Sequence, residues 1–319
     1  MFYRVNIHRY IFAANHLRCD MHKKTTVKAF IALFFLTLFW GYNWVVMKNA
    51  LQFSGVFPFI ALRTAGGALC LFLLMALLRR PFKIYHVRTI MLLGLLQTSG
   101  FTGLLMWALV SGGAGKTAVL TYTMPFWVML LAWPLLGEKL QKLQWFAALL
   151  SCMGMLLILD PMHLGTDKFS MLLAVLSGVS WALAVIVAKK LHRISPDLDL
   201  LTLTAWQMLF GSVPILIAAF TIPAPPIQWT PYFIGAVAYN ALICNALAWF
   251  LWLYAIQKLQ AGVASMSSLL APVIGVLAAW IQLHEVPDHM ELAGMLLIAT
   301  ALMIISIVSI RYPATLEQE

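Results

Sequence analysis

Apolar residues in this chain come in ten long runs separated by short polar breaks. The runs are Phe30–Ala50, Phe57–Leu78, Thr89–Ser111, Ala114–Leu136, Leu143–Leu159, Phe169–Ala188, Leu200–Phe220, Tyr232–Ile256, Ala261–Leu283 and Met290–Ile310. About 20 apolar residues in a helix reach across the hydrocarbon core of a bilayer. A closed barrel also satisfies its backbone inside lipid, but its strands alternate apolar and polar positions, and these runs are continuous. The pattern therefore predicts an all-α integral membrane protein with ten transmembrane helices. The breaks are too short to hold a soluble domain.

The last five runs echo the first five. At an offset of 147 residues, Ala114, Gly115, Pro125, Leu130, Ala132, Trp133, Leu136 and Glu138 meet Ala261, Gly262, Pro272, Leu277, Ala279, Trp280, Leu283 and Glu285. At an offset of 141, Trp40 meets Trp181 and Lys48 meets Lys189. At 144, Arg63 meets Gln207 and Gly67 meets Gly211. The units read as five-helix repeats over residues 30–160 and 169–310, flanked by tails 1–29 and 311–319. An odd number of spans per unit makes the second copy enter the membrane inverted. Inverted copies are the architecture on which alternating access in carriers rests.

Composition narrows the class. Hydrophobic residues make up 62% and charged residues 10%, where soluble domains carry about 25% charged. The net charge of +10 does not point to nucleic acid, because its distribution follows topology. Seventeen basic residues fall on the side of the N-terminus, only Lys48, Lys116 and Lys168 on the other, and Arg63 within a span. The positive-inside rule then puts both termini in the cytoplasm. Cys70, Cys152 and Cys244 lie in predicted spans and Cys19 in the tail, so no disulfide is expected. Within the tail, Met21-His22-Lys23-Lys24 makes a compact basic start before the first span. Either Met21 is the natural start or residues 1–20 form a loose extension, with a short interfacial segment as the alternative.

Polar groups inside the spans are the candidate chemistry. Trp40, Asn43, Trp44 and Met47 recur at helical spacing on one face. A buried Asn amide needs partners, which a cargo or a neighbouring helix can supply. Arg63 is the charge set well inside a span, where exposure to lipid would be costly. It can attract a carboxylate or phosphate, or donate to backbone carbonyls. Gln97, Asn240, Asn245 and Ser268 are uncharged polar groups at membrane depth, which line cavities or bond across helices. Tyr122, Trp127, Trp181 and Trp249 supply aromatic walls. Pro125 and Pro272 each remove a backbone bond in mid-helix and are expected to kink it, as static bends or as gating flexures. Glu138 and Glu285 close their spans and read as anchors to backbone or basic groups.

Other chemistry is excluded by spacing. Gly112-Gly113-Ala114-Gly115-Lys116-Thr117 imitates a phosphate loop, but the required first glycine falls at Val110. His284, Glu285 and His289 lack the spacing of a zinc helix, and Pro287 interrupts them. With no nucleophile signature either, an enzyme, a metal and a cofactor are not expected.

Trp40-Gly41-Tyr42-Asn43-Trp44 resembles the tryptophan-glycine signature of the drug/metabolite transporter superfamily, EamA-like branch. Arg63, the Pro125 and Pro272 helices and the terminal Glu138 and Glu285 fit the same pattern across about Val27 to Ile310. The resemblance implies a secondary carrier in a bacterial inner membrane, with export of amino acids or related small metabolites as its commonest role. It implies a central cavity between the halves, with Asn43, Trp44, Trp40, Arg63, Gln97, Tyr122, Trp181, Asn240, Asn245 and Ser268 as the residues facing cargo. The partners implied are the metabolite and the lipid bilayer, and the oligomeric state stays open. A nucleotide-sugar or other anionic-metabolite carrier is the alternative through Arg63. A membrane receptor or assembly protein is the rival outside transport.

Overall fold

The computed structural model describes residues 3–111, 121–139, 141–159, 168–283 and 288–311, and its regular elements are all helical. They are α1 (Tyr3–Ala50), α2 (Val56–Leu77), α3 (Val87–Gly94), π1 (Leu95–Gly103), α4 (Leu104–Ser111), α5 (Met124–Leu136), α6 (Lys142–Leu159) and α7 (Lys168–Ile194). There follow α8 (Leu200–Thr221), α9 (Pro231–Tyr239), π2 (Asn240–Leu247), α10 (Ala248–Lys258), α11 (Ala261–Ser267), α12 (Leu270–Leu283) and α13 (His289–Arg311). Among the described residues, eight helices are long and apolar enough to cross a bilayer, and Met124–Leu136 and Lys142–Leu157 are shorter apolar helices. This is an all-α membrane protein. Large apolar side chains such as Leu77, Phe220, Ile281 and Leu296 are at least 70% exposed. Lipid covers such surface without cost.

Three features depart from the sequence expectation. First, α1 begins at Tyr3 and not near Phe30. No glycine or proline stands between Tyr3 and Trp40 to stop a helix. Second, two spans contain π-helical stretches, π1 and π2. Their backbone takes side-chain partners: Ser180 Oγ donates to the Leu96 carbonyl (2.8 Å), and Asn245 Nδ2 donates to the Asn240 carbonyl (2.8 Å). π segments in a helix often mark functional sites. Third, Pro125 and Pro272 do not bend continuous helices. Each stands just inside a new helix, after turns at Tyr122–Thr123 and Ser268–Leu269. A proline clashes with the carbonyl four residues back, here Thr121 and Ser268, so the helix breaks before the ring. Tight bonds replace the lost ladder, including Phe126 N to the Thr123 carbonyl (2.9 Å) and Ala271 N to the Ser268 carbonyl (3.0 Å).

The packing order is regular. α1 lies against π2, α10 and α12, while α7 lies against π1, α4 and α5. α2 pairs with α8, α6 with α13, and α5 with α11. Two contacts need the absence of a side chain. A Cβ on Gly41 would stand 2.6 Å from Ile274 Cβ and 2.8 Å from the Ala271 carbonyl oxygen. A Cβ on Gly94 would stand 2.2 Å from the Gln207 carbonyl oxygen, and one on Gly211 would stand 2.3 Å from the Gly94 carbonyl oxygen. Small residues let helix backbones approach this closely inside a membrane.

Glu138 ties three segments together. Its carboxylate lies 3.2 Å from Lys189 Nζ and 3.6 Å from Arg193 Nη2, and accepts the Ala261 backbone N–H at 2.5 Å. Lys189 also donates to the Leu259 carbonyl, and Arg193 to the Leu136 carbonyl at 2.8 Å. The anchoring expected of Glu138 is thus present. Glu285 and the Gly112–Thr117 stretch lie outside the described residues.

Candidate functional site

The helix breaks and π segments converge on one cavity of about 730 Å³, counted to its open mouth. α1 contributes Trp40, Asn43, Trp44 and Met47, four residues that share one face by helical spacing. α2 adds Arg63, α7 adds Trp181, and π2 with α10 adds Asn245 and Trp249. The two breaks add Thr121 with Tyr122 and Ser268. Eight of the ten residues expected to face cargo therefore line one space.

The other two do not. Gln97 and Asn240 are buried in π1 and π2 but are absent from the cavity wall. Asn240 Nδ2 donates to the Ala236 carbonyl at 3.0 Å, which makes it a local helix partner. Trp127 is also away from the wall, donating to Thr123 Oγ1 at 3.1 Å. Several residues passed over in the sequence stand on the wall, among them Phe101 and Thr121. Phe101 packs its ring 4.7 Å from Trp181, and Thr121 carries a buried hydroxyl. Thr121 could have been found, since the offset of 147 sets it against Ser268. Phe101 had no such signal.

The walls are mostly indole. Trp40 meets Trp181 (5.6 Å between ring centres), Trp249 (5.8 Å) and Trp252 (6.3 Å). Most of these ring pairs are tilted or edge-to-face, as the ring quadrupoles favour. Trp40 Nε1 donates to the Cys244 carbonyl (3.0 Å) and Trp44 Nε1 to Tyr122 Oη (2.7 Å), so both rings are fixed. Trp40 and Trp181 thus pack against each other and line the cavity at once.

Polar groups on the wall divide into satisfied and open. Asn245 is satisfied: Nδ2 donates to the carbonyls of Asn240 and Arg63 (3.3 Å), and Oδ1 accepts from Trp249 Nε1 (3.2 Å). Ser268 Oγ donates to the Ser265 carbonyl at 2.7 Å. By contrast Asn43 Oδ1, Arg63 Nε, Thr121 Oγ1 and Trp181 Nε1 are buried with no partner among the described residues. Leaving such groups unpaired costs roughly 1–3 kcal/mol each, more when charged. Among the described residues no group of His, Cys, Asp or Glu could hold a metal ion.

The model of the EamA-like transporter family matches this chain twice, over residues 27–160 and 168–307. The chain is 29% identical over 278 residues to the transporter YoaV of Bacillus subtilis (strain 168), covering 85% of this chain and 94% of that protein. It is 27% identical over 294 residues to a protein of Salmonella typhimurium named "Probable amino-acid metabolite efflux pump", covering 86% and 93%. A protein of known crystal structure superposes with a TM-score of 0.75 at 16% identity, over 90% of this chain and 99% of that one, and so shares the fold. This chain belongs to the EamA-like transporter family and is a multi-pass membrane transporter of small molecules.

Proposed function

We propose that the chain is a ten-helix carrier that exports amino acids or closely related metabolites, by alternating access of two inverted five-helix repeats. The carrying observation is the cavity, whose wall is assembled from both halves of the chain and holds four unpartnered polar groups, one of them the Trp181 indole N–H. The inverted-repeat reading is supported by the packing order, in which α1 against π2–α10 and α12 mirrors α7 against π1–α4 and α5. The family model's double match supports it too, as do the two helix breaks, which fall within one residue of the offset of 147 that relates Pro125 to Pro272. Repeat units 30–160 and 169–310 and cytoplasmic termini belong to the same reading, as does a bacterial inner membrane. A name read as amino-acid efflux in a relative favours that cargo over a nucleotide sugar.

Cargo is read as sitting between the breaks and α1, with Asn43 and Trp44 as its leading contacts and Pro125 and Pro272 as the flexing points. The test is counterflow in proteoliposomes. Labelled amino acid should accumulate against unlabelled acid trapped inside, which a receptor or assembly protein cannot achieve. Among the described residues no Asp or Glu lines the cavity to serve as a proton relay. Transport is therefore expected to persist when an uncoupler collapses the proton gradient. Loss of counterflow under uncoupler would shift attention to the end-of-helix Glu138 or Glu285.

A further inference from the structure

We propose that Arg63 is a charge gate, which only a cargo bearing a single carboxylate opens. This deepens the carrier reading above and rests on it. Arg63 is 8% exposed and lines the cavity. Its Nη1 donates to the thioether sulfur of Met47 at 2.8 Å, a weak acceptor, and its Nε has no partner. Among the described residues no Asp or Glu is on the wall. The described carboxylate ion pairs lie elsewhere, at Glu138 with Lys189 and Arg193 and at Asp199 with Arg80.

A guanidinium cannot shed its charge by losing a proton. A buried cation with no counter-charge is costly wherever water is excluded. Open to water, the cavity tolerates it. Sealed and empty, it does not. The anion that lifts this cost has to arrive with the cargo, and a carboxylate matches the planar donor fork of Arg.

The rest of the wall narrows the cargo. Among the described residues Arg63 is the single basic side chain on it, so one negative charge is balanced there and a diphosphate is not. Asn43 Oδ1 offers an unused acceptor. The faces of Trp40 and Trp44 attract a cation, as indole rings do. A carboxylate next to an ammonium on an apolar body meets all of these together. The nucleotide-sugar alternative meets only the first. Exchange then runs faster than net flow, because the empty carrier returns with its charge bare.

The purified full-length protein is titrated with the common L-amino acids, each beside its amide, and stability is read by thermal shift. At least one acid should stabilise the protein, and its amide should bind about 10- to 100-fold more weakly, the range of a charge-assisted pair. Arg63→Gln, the residue found at the repeat position Gln207, should erase that difference. Arg63→Lys should keep part of it. In proteoliposomes, efflux of the binding acid should be stimulated by the same acid outside, and Arg63→Gln should lose the stimulation. Equal binding of acid and amide overturns the proposal, as does unchanged acid affinity in a monodisperse Arg63→Gln protein. So does the failure of every acid to bind up to its solubility limit. The acid–amide comparison on the unmodified chain stands even if Arg63→Gln does not fold. Counterflow of amides alone would sink the gate and keep the carrier; binding of acids without counterflow would do the reverse.

Discussion

At the residue scale, the cavity separates side chains that hold the protein from those left available to a solute. Asn245 and Ser268 spend their hydrogen bonds internally, whereas Asn43 and Thr121 do not. Asn43→Ala should therefore weaken cargo binding by roughly 1–3 kcal/mol while the protein still folds. Asn245→Ala should cost stability first. Isothermal titration beside a melting curve separates the two outcomes. Unchanged affinity in Asn43→Ala and Trp44→Ala would assign both residues to packing. Gly41 is the other sharp test. Gly41→Leu drives a side chain into Ile274 and the Ala271 carbonyl, and overpacking costs typically about 1–3 kcal/mol. The measurement is the loss of folded protein in detergent. Much of this was legible in the sequence, because helical spacing alone put Trp40, Asn43, Trp44 and Met47 on one face. Gln97 and Asn240 stand off this wall; both lie in π segments, where the phase of the helix slips and a regular spiral no longer tells which face a side chain takes.

At the element scale, breaks and clamps matter more than the helices themselves. The prolines were visible, but their effect was read as a bend where the helix instead stops and restarts. What decides this is the tight i→i−3 bonding beside each ring, just after Pro125 and just before Pro272, which no composition rule foretells. The clamp at Glu138 joins the end of α5 to α7 and to the first residue of α11. Glu138 and Lys189 side chains are about a tenth exposed. Removing one partner of such a pair leaves a buried charge behind, at a cost of roughly 3–5 kcal/mol. Glu138→Gln should thus lower the melting temperature sharply, and Glu138→Gln with Lys189→Met should recover part of the loss. An additive double variant would mean that the pair is not coupled.

At the scale of the whole molecule, the sequence made the class plain: long apolar runs, sparse charge and paired half-signatures allow little else. Membrane orientation is proposed from the basic residues alone, because a helical bundle looks alike from either side. The inverted reading is tested by single cysteines beside Glu138 and beside Glu285 in a chain without its native thiols. An impermeant reagent should label the two from opposite faces of sealed vesicles, and labelling of both from one face would end the inversion. The tryptophan nest has an optical consequence. Trp181 lies within 4.9–5.6 Å of Trp40, Trp249 and Trp252, close enough for the excited states of the four indoles to mix. Their ultraviolet circular dichroism should carry a coupled, two-signed band that no isolated tryptophan gives. Because three of these rings form the cavity wall, a solute entering between them changes their angles and with them the band. The protein thus carries its own label-free gauge of occupancy, readable in a cuvette before any cargo has been named.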